Sequence, residues 1–145
     1  MRLCRLIYSS HAAPNLKYPD LMDIMEKSEK NNPPVGLTGM LCFGDDMFLQ
    51  VLEGGRKAVS QTYHRITQDQ RHFDAEIIEC TEIGSRFFST WSMKYIDLGG
   101  YFPEKMQEII LKYCPSPTFM PSAMSPKHCL DFMLEVQALY NSAET

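Results

Sequence analysis

A glutamine lies among apolar residues in a short segment that has the pattern of a β-strand. In Met47–Leu52 alternate residues point to the same face, so Gln50 shares its face with Phe48 and Leu52. A carboxamide carries two N–H donors and two acceptor lone pairs, and burying them without partners costs about 1–3 kcal/mol. We therefore expect Gln50 to have a polar partner.

A tyrosine near the N-terminus is the candidate for that partner. In the predicted first strand, Leu3–Tyr8, the residues Cys4, Leu6 and Tyr8 share one face by the same alternation. If the first and third strands are neighbours, Tyr8 and Gln50 meet beneath two helices. From the alternation alone, an ordinary structural hydrogen bond between phenol and amide is the simpler interpretation of this pair.

Further polar groups flank the predicted helices. Asn31 and Asn32 could add two amides at the edge of the same space, although a helix stop ahead of two prolines is the simpler explanation of them. Arg65 in the second helix could bind an anion beside the sheet. The alternative is a solvated helix face on which Arg65 forms an ion pair with Asp69, four residues further on.

The sequence lacks the motifs of common enzyme classes. It has no glycine-rich phosphate loop, no GxSxG and no HExxH motif. None of its four histidines forms a recognisable catalytic motif with a cysteine or serine nucleophile. Its five cysteines do not have the spacing of a zinc site. We therefore expect no metal and no catalytic output. We expect reduced core thiols at Cys4, Cys42, Cys80, Cys114 and Cys129.

The elements that would position these residues occur in the order β-α-β-β-α-β-β. Helical spacing covers about residues 19–30 and 57–68, and strand-like runs are found at Leu3–Tyr8, Leu37–Phe43, Met47–Leu52, Glu76–Glu82 and Trp91–Leu98. This order predicts an α+β, ferredoxin-like fold with two helices on one face of a largely antiparallel sheet. Trp91 and Met93 would share one face of the last strand, where such pairs usually belong to the core.

The pattern changes beyond Gly99 and Gly100. Two helical stretches, Pro103–Cys114 and Pro126–Tyr140, are joined by a connector that is rich in proline. Because this segment is too short to fold alone, we expect a domain of residues 1–98 and a helical extension of residues 99–145. The extension would pack on the sheet or at a subunit interface.

Charge and hydropathy argue against two classes of partner. The 14 Lys and Arg residues and 18 Asp and Glu residues give a net charge of -4, the wrong sign for gathering nucleic-acid phosphates. No apolar run approaches the roughly 18 residues that cross a bilayer, and Arg2 and Arg5 interrupt any signal-peptide pattern. We expect a cytoplasmic protein that binds neither nucleic acid nor membrane.

Six motifs occur in order over residues 1 to about 98. They are Arg5-Leu6-Ile7-Tyr8-Ser9-Ser10, Asn31-Asn32, Gly36-Leu37-Thr38-Gly39-Met40-Leu41, Phe48-Leu49-Gln50-Val51-Leu52-Glu53-Gly54, Tyr63-His64-Arg65-Ile66 and Trp91-Ser92-Met93. Together they resemble the BLUF domain, a family of blue-light sensors that bind FAD. The tail, with Lys112-Tyr113 and Pro121-Ser122-Ala123-Met124, resembles the short cyanobacterial BLUF proteins of the PixD type.

The resemblance implies a flavin site between the two helices and the sheet. The cofactor would be FAD, with FMN or riboflavin also possible. Tyr8 and Gln50 would be the photochemical pair, Asn31 and Asn32 would hold the pyrimidine edge, and Arg65 would meet the phosphates. The implied flavin-binding residues are Asn31, Asn32, Ile24, Ser28, Phe48, Arg65 and Ile66.

The resemblance also implies a photocycle in which no bond forms between flavin and protein. The excited flavin takes an electron and a proton from Tyr8, and the charge returns after Gln50 has rearranged its hydrogen bonds. The changed hydrogen bonds lower the excitation energy slightly. The signal then reaches the last strand through Trp91 and Met93.

A partner and an assembly follow from the same resemblance. We expect a homo-oligomer, from dimer to decamer, that controls a PixE-like response regulator in phototaxis signalling. Two other functions stay open on the residues alone: a ferredoxin-like regulatory domain that senses a non-photochemical small ligand, and a small hydrolase of the acylphosphatase type. Only the light sensor would be yellow and shift its absorption under blue light.

Overall fold

The structure is a computed structural model that describes residues 2–144. Met1 and Thr145, the outer limits of the two expected segments, lie outside the described residues. The elements of the described part are, in chain order, β1 (Leu3–Ala12), α1 (Tyr18–Asn31), β2 (Thr38–Gly44), β3 (Met47–Gly55), α2 (Arg56–Thr67), β4 (His72–Ile83), β5 (Lys94–Asp97), α3 (Pro103–Tyr113) and α4 (Pro126–Glu144).

The strands form a sheet with the order β4-β1-β3-β2-β5. β1 pairs antiparallel with β3 and β4, β2 pairs antiparallel with β3, and β5 adds a parallel edge beside β2. This arrangement is ferredoxin-like with one added strand, so the predicted α+β fold class is confirmed. Within residues 2–144, no helix is long and apolar enough to span a bilayer.

Each face of the sheet has its own core. On one face, α1 and α2 contribute Leu21 and Val59 to a cluster with alternate residues of β1 and β3, among them Leu6 and Leu52. On the other face, α3 and α4 pack over the remaining strand residues, with Met106 and Phe132 fully buried. The C-terminal helices therefore cover the sheet face that α1 and α2 leave open.

Local chemistry explains where α1 begins and ends. Asp20 in its first turn accepts a hydrogen bond from the backbone N of Lys17 at 2.9 Å, and Pro19 suits an opening turn because its missing N–H is not needed there. The helix ends at Asn31. Pro33 begins a short 3₁₀ turn, Pro33–Val35, since proline cannot continue the α-helical hydrogen bonds.

Three strands are longer than the sequence predicts, and the third of them, β3, continues from Leu52 to Gly55. β1 continues beyond Tyr8 to Ala12, because Ser9 and Ser10 are buried within the sheet and do not end the strand. β4 begins at His72, not at Glu76, and pairs with the added part of β1. The hydroxyl residues suggest a turn from sequence, but the pairing with β4 overrides this local preference.

β5 is shorter than predicted, and this corrects the placement of Trp91 and Met93. The strand spans Lys94–Asp97, because continuous pairing with β2 begins only at Met40 opposite Lys94. Trp91 packs against the core beneath α3 and α4, whereas Met93 is buried on the side of α1 and α2. The two residues therefore do not share a strand face.

A buried ion pair anchors the segment that precedes β5. The Glu53 side chain is fully buried and accepts a hydrogen bond from Nε of Arg5 at 2.8 Å. The same carboxylate accepts the backbone N–H groups of Phe87 and Phe88 at 3.1 and 2.7 Å. Hydrogen bonds of this kind offset the cost of burying the charge and fix residues 87–88 to the sheet.

The prediction that all five cysteines are core thiols is wrong for one of them. Cys4, Cys42, Cys114 and Cys129 are buried and reduced, but Cys80 is exposed. Cys80 lies on β4, which is an edge strand and therefore has a neighbouring strand on one side only.

Candidate functional site

Tyr8 and Gln50 are directly opposite each other on β1 and β3. The phenol O–H of Tyr8 donates to Oε1 of Gln50, and each residue is only 3% exposed. Burial raises the pKa of Tyr8 above its usual range, because the phenolate would lose its hydration. Tyr8 therefore stays protonated and acts as the donor of this bond.

Met93 extends the pair into a chain of three side chains. Nε2 of Gln50 donates to Sδ of Met93 at 3.4 Å, so the amide has its carbonyl toward Tyr8 and its nitrogen toward Met93. These two bonds use one acceptor and one donor of the amide, which has two of each. Gln50 also lines two adjoining cavities, where its remaining hydrogen-bonding capacity can meet a ligand.

One of these, the Tyr8 cavity, lies between the sheet and the two helices α1 and α2. It has about 430 Å³ of atom-free space, part of which is open to solvent. Apolar and aromatic side chains form about half of its walls and polar or charged side chains form the rest, so the cavity offers both apolar surface and groups that can orient a small molecule. The lining residues are Tyr8, Ile24, Ser28, Leu41, Phe48, Gln50, Ile66, Asp69, Arg71 and His72.

One wall of the Tyr8 cavity is charged. Arg71 donates to Asp69 at 2.6 Å and to Asp23 at 2.8 Å. The hydrogen bond from Arg71 lowers the pKa of Asp69, and those from Lys27 and Arg71 lower that of Asp23. Asp69 therefore pairs with Arg71, and the alternative of an ion pair with Arg65 is wrong. The reason is that Asp69 lies beyond the end of α2, where the helical i,i+4 geometry no longer holds.

His72 links this wall to the strands. Its Nε2 lies 2.7 Å from the backbone O of Ile66, which can only accept, so this nitrogen carries a proton. Nδ1 lies 2.8 Å from the hydroxyl of Ser10. The imidazole packs beside the rings of Tyr8 and Phe48, with centroid distances of 6.4 and 6.2 Å. Both ring nitrogens are thus engaged, which fixes the orientation of His72.

The second cavity, the Asn32 cavity, shares Ser28, Gln50 and Ile66 with the first and is more polar. Asn32 is buried, and its Nδ2 donates to the backbone O of Ser92 at 3.2 Å. Lys27 and Arg65 bring positive charge to this side. The lining residues are Lys27, Ser28, Asn31, Asn32, Gln50, Leu52, Thr62, Arg65 and Ile66.

The structure brings almost all of the predicted site residues together. Tyr8, Gln50 and the other predicted residues Ile24, Ser28, Phe48 and Ile66 line the Tyr8 cavity, whereas Asn31, Asn32 and Arg65 line the Asn32 cavity. Met93 contacts Gln50 directly. Trp91 lies apart, because its ring packs on the opposite side of the sheet.

Sequence reasoning missed four residues of the Tyr8 cavity: Leu41, Asp69, Arg71 and His72, of which Asp69 was considered only as an ion-pair partner of Arg65. The period-two pattern of Glu76–Glu82 does not lead to His72, because the pairing of β4 with β1 is irregular at two places along the strand. Arg71 had no sequence signal, since its role depends on carboxylates of α1 and of the loop before β4.

The combined site suits a flat, largely apolar ring with one polar edge. Ile24, Phe48 and Ile66 supply apolar walls, and the amides of Gln50 and Asn32 supply donors and acceptors along one side. Among residues 2–144 there is no group of three or more His, Cys, Asp or Glu side chains placed to hold a metal ion.

The family is decided by a match that spans this whole site. Residues 3–94 match the model of the BLUF family, described as sensors of blue-light using FAD. The chain belongs to the BLUF family. It is therefore a member of a group of blue-light sensors that use a flavin, and the flat ring that the cavities suit is the kind of ligand that BLUF domains bind.

Individual relatives of this BLUF chain fall into two groups. Photoactivated adenylate cyclase subunit beta of Euglena gracilis is 28% identical over 128 residues, which are 84% of this chain but only 15% of that protein. Klebsiella pneumoniae BlrP1, solved with FMN and cyclic diGMP, has a TM-score of 0.66 and 32% identity over 76% of this chain and 30% of that one. This chain thus corresponds to a small part of both proteins.

A shorter relative matches over nearly its full length. The photo-activated state of BlsA superimposes with a TM-score of 0.82 at 27% identity, covering 92% of this chain and 93% of that chain. The similarity therefore extends beyond the BLUF match into the helices that follow β5.

Proposed function

We propose that this chain is a blue-light photoreceptor that binds FAD non-covalently and converts light into a change of protein contacts. The observation that carries the proposal is the chain of hydrogen bonds from Tyr8 through Gln50 to Met93. It joins an oxidisable phenol, an amide with two chemically different ends, and a segment that leads to the last strand. All three side chains are buried beside the cavities where a flavin would lie.

The binding residues divide between the two cavities. Ile24, Phe48 and Ile66 would enclose the ring system in the Tyr8 cavity, where apolar contact favours a flat aromatic ligand. Asn31 and Asn32 would hold the pyrimidine edge. In support of this role, Asn32 is buried and held by Ser92, so its amide has a fixed orientation. Ser28 lines both cavities and would contact the ring between them.

Tyr8 and Gln50 would carry the photochemistry. When bound, the flavin would absorb blue light and provide an excited state that accepts an electron. Tyr8 would give up that electron together with its phenolic proton, for which Oε1 of Gln50 is the hydrogen-bonded neighbour. Gln50 would then rotate or change its tautomer, and either change exchanges the donor and acceptor that it presents. Tyr8 would be restored when the electron and proton return.

Signal transmission would begin at the bond between Gln50 and Met93. At present Nε2 of Gln50 donates a hydrogen bond to Sδ of Met93. A reversed amide would place its carbonyl oxygen there, and two acceptors cannot bond to each other, so this contact would be lost. Met93 belongs to the segment that Glu53 anchors to the sheet, and Gln137 of α4 donates to the backbone O of Phe87 in the same segment at 3.0 Å. Trp91 would pass the change to the core beneath α3 and α4.

We assign FAD in preference to FMN or riboflavin. The family model names FAD, although the related BlrP1 structure contains FMN. A further opening adjoins the Asn32 cavity and shares Asn31, Thr62 and Arg65 with it. Lys30 lines this opening, so Arg65 and Lys30 together would attract the two phosphates of a dinucleotide.

The output would be a protein contact. In this proposal residues 1–98 form the flavin-binding unit, and residues 99–145 form a helical extension that carries the light-dependent surface. The partner would be a PixE-like response regulator in a phototaxis pathway, bound by a homo-oligomer of this chain in the cytoplasm. Size-exclusion chromatography in darkness and under blue light, with and without the regulator, tests this part. A complex that is identical in both conditions would contradict it.

The cofactor and the photocycle are tested on the purified full chain. Denaturation followed by mass spectrometry of the released pigment should give FAD, and release of FMN or riboflavin alone would contradict the assignment. Blue light should shift the flavin absorption to the red, and the shift should reverse in darkness. A colourless protein, or a pigment with no reversible shift, would contradict the photoreceptor proposal.

A further inference from the structure

Two thiols lie side by side on the sheet, outside the two cavities assigned to the flavin. Sγ of Cys4 in β1 and Sγ of Cys80 in β4 are 3.8 Å apart. In the pairing of these strands Leu6 is opposite Cys80 and Cys4 is opposite Glu82, so the two cysteines are diagonal neighbours on one face. Cys4 is only 7% exposed, whereas Cys80 is exposed.

The thiols line an opening that a small molecule can enter. The opening has about 630 Å³ of atom-free space, and it is lined by Arg2, Leu3, Cys4, Arg56, Ser60, Cys80, Thr81 and Glu82. Arg2 is paired with Glu82, and Arg56 adds a second positive charge close enough to act on Cys4. With Arg2 paired to Glu82, Arg56 leaves this opening with a net positive charge, which attracts a reagent that carries carboxylates.

The two thiols differ in the way that a two-step exchange requires. Burial raises the pKa of Cys4 to about 11, so this thiol stays protonated near neutral pH. Cys80 is accessible to a reagent, whereas Cys4 is buried beside it. Cys80 is therefore suited to attack first, and Cys4 lies beside it to complete the exchange.

We propose that Cys80 and Cys4 form a redox modification site whose co-reactant is a low-molecular-weight disulfide such as glutathione disulfide. The Cys80 thiolate attacks one sulfur of the reagent, its S–S bond breaks, and one glutathione leaves as a thiol after taking up a proton. Cys4 then loses its proton and attacks Sγ of Cys80, which expels the second glutathione. The protein loses two electrons and two protons in total, and the reagent gains them.

The edge position of β4 allows the final bond to form. The two sulfurs must approach from 3.8 Å to about 2.05 Å. Because Cys80 is exposed and β4 has a neighbouring strand on one side only, rotation of its side chain and a small shift of the strand can supply this movement. The product would tie β4 to the strand that carries Tyr8.

The test uses the full-length protein with its bound cofactor, incubated in darkness with glutathione disulfide. Intact mass and peptide mapping should show the loss of two hydrogens and a cross-link between Cys4 and Cys80. Cys4→Ser should stop at one glutathione on Cys80, and Cys80→Ser should not react. The matched control Ser60→Ala, which changes the same opening without touching a thiol, should react like the wild type.

Two results would overturn the proposal. One is a wild-type product that retains glutathione on Cys80 without forming the cross-link. The other is Cys80→Ser protein that loses thiols as fast as the wild type while its far-UV circular dichroism is unchanged. The buried residues Cys42, Cys114 and Cys129 serve as internal references and should remain reduced throughout.

Discussion

Gln50 and Met93 are 43 residues apart in the chain, yet Nε2 of Gln50 donates to the thioether sulfur of Met93 at 3.4 Å. The other end of the same amide accepts from Tyr8. One side chain thus connects the strand that carries the phenol to the segment that precedes β5. Any change in the orientation of this amide must alter both contacts together.

Replacing Gln50 by leucine should abolish the light-induced red shift while the flavin stays bound. Leucine keeps the volume but removes both hydrogen bonds and leaves the Tyr8 hydroxyl without its acceptor, at a cost of about 1–3 kcal/mol. Light-minus-dark absorption spectra measure the effect. Gln107→Leu is the control, because Gln107 is exposed on α3 and lines neither flavin cavity nor the opening assigned to the phosphates. An unaltered shift in Gln50→Leu would argue against any role for the amide.

Glu53→Gln should destabilise the fold strongly. Neutralising this residue leaves the guanidinium of Arg5 buried without its counter-ion, which costs about 3–5 kcal/mol in comparable pairs. Urea unfolding followed by circular dichroism gives the difference. Glu82→Gln breaks the exposed pair with Arg2 and should cost less than about 1 kcal/mol. Equal effects of the two substitutions would show that the burial of the Arg5–Glu53 pair has no energetic consequence.

The contribution of Asp69 should depend on pH. The hydrogen bond from Arg71 lowers its pKa in the folded protein below the ordinary value of about 3.9, so its stabilising effect is present above that value. The effect is lost as the pH falls through the lowered pKa. Asp69→Asn should therefore be less stable than the wild type near pH 7, with the difference shrinking at about pH 3.

Urea unfolding of both proteins at these two pH values measures the Asp69 effect. Glu76→Gln is the control, because Glu76 is exposed on the neighbouring strand β4. A destabilisation by Asp69→Asn that is constant with pH would mean that the charge of Asp69 is not its cause.

Gly39→Ala should distort the sheet beneath Met93. A Cβ at position 39 would lie 2.0 Å from the backbone O of Val51 and 3.2 Å from Cε of Met93. Since a backbone atom cannot move aside cheaply, we expect a loss of about 1–3 kcal/mol in urea unfolding. Gly84→Ala has nothing within 4 Å of the added carbon and should be close to neutral. If the Gly39→Ala protein were as stable as the Gly84→Ala protein, the predicted clash with Val51 would be excluded.

The order of strands and helices followed from local patterns, because amphipathic periodicity and proline positions act within a few residues of the chain. The limits of β1 and β4 could not be predicted from local patterns. Ser9 and Ser10 look like a turn, and only pairing with a strand more than 60 residues further along the chain keeps them in the sheet. The start of β5 was misplaced for the same reason, since its continuous pairing with β2 begins at Lys94 and not at Trp91.

At the site, the alternation of side chains along two strands was enough to predict that Tyr8 and Gln50 lie together. The prediction succeeded because β1 and β3 pair without interruption around these residues. The same rule failed for Trp91 and Met93, which precede their strand and lie on opposite sides of the sheet. Arg71 was not predicted as a site residue, because its position depends on ion pairs with Asp23 and Asp69. The fold, and not the local sequence, places these carboxylates around it.

The most direct measurement compares Tyr8→Phe with Tyr63→Phe in light-minus-dark absorption. The ring of Tyr63 lies 5.3 Å from that of Tyr8, so both variants remove one hydroxyl from neighbouring rings on the same side of the sheet. Tyr8→Phe should bind the flavin but show no reversible red shift, whereas Tyr63→Phe should shift and recover. A normal reversible shift in Tyr8→Phe would contradict the assignment of Tyr8 as the electron donor.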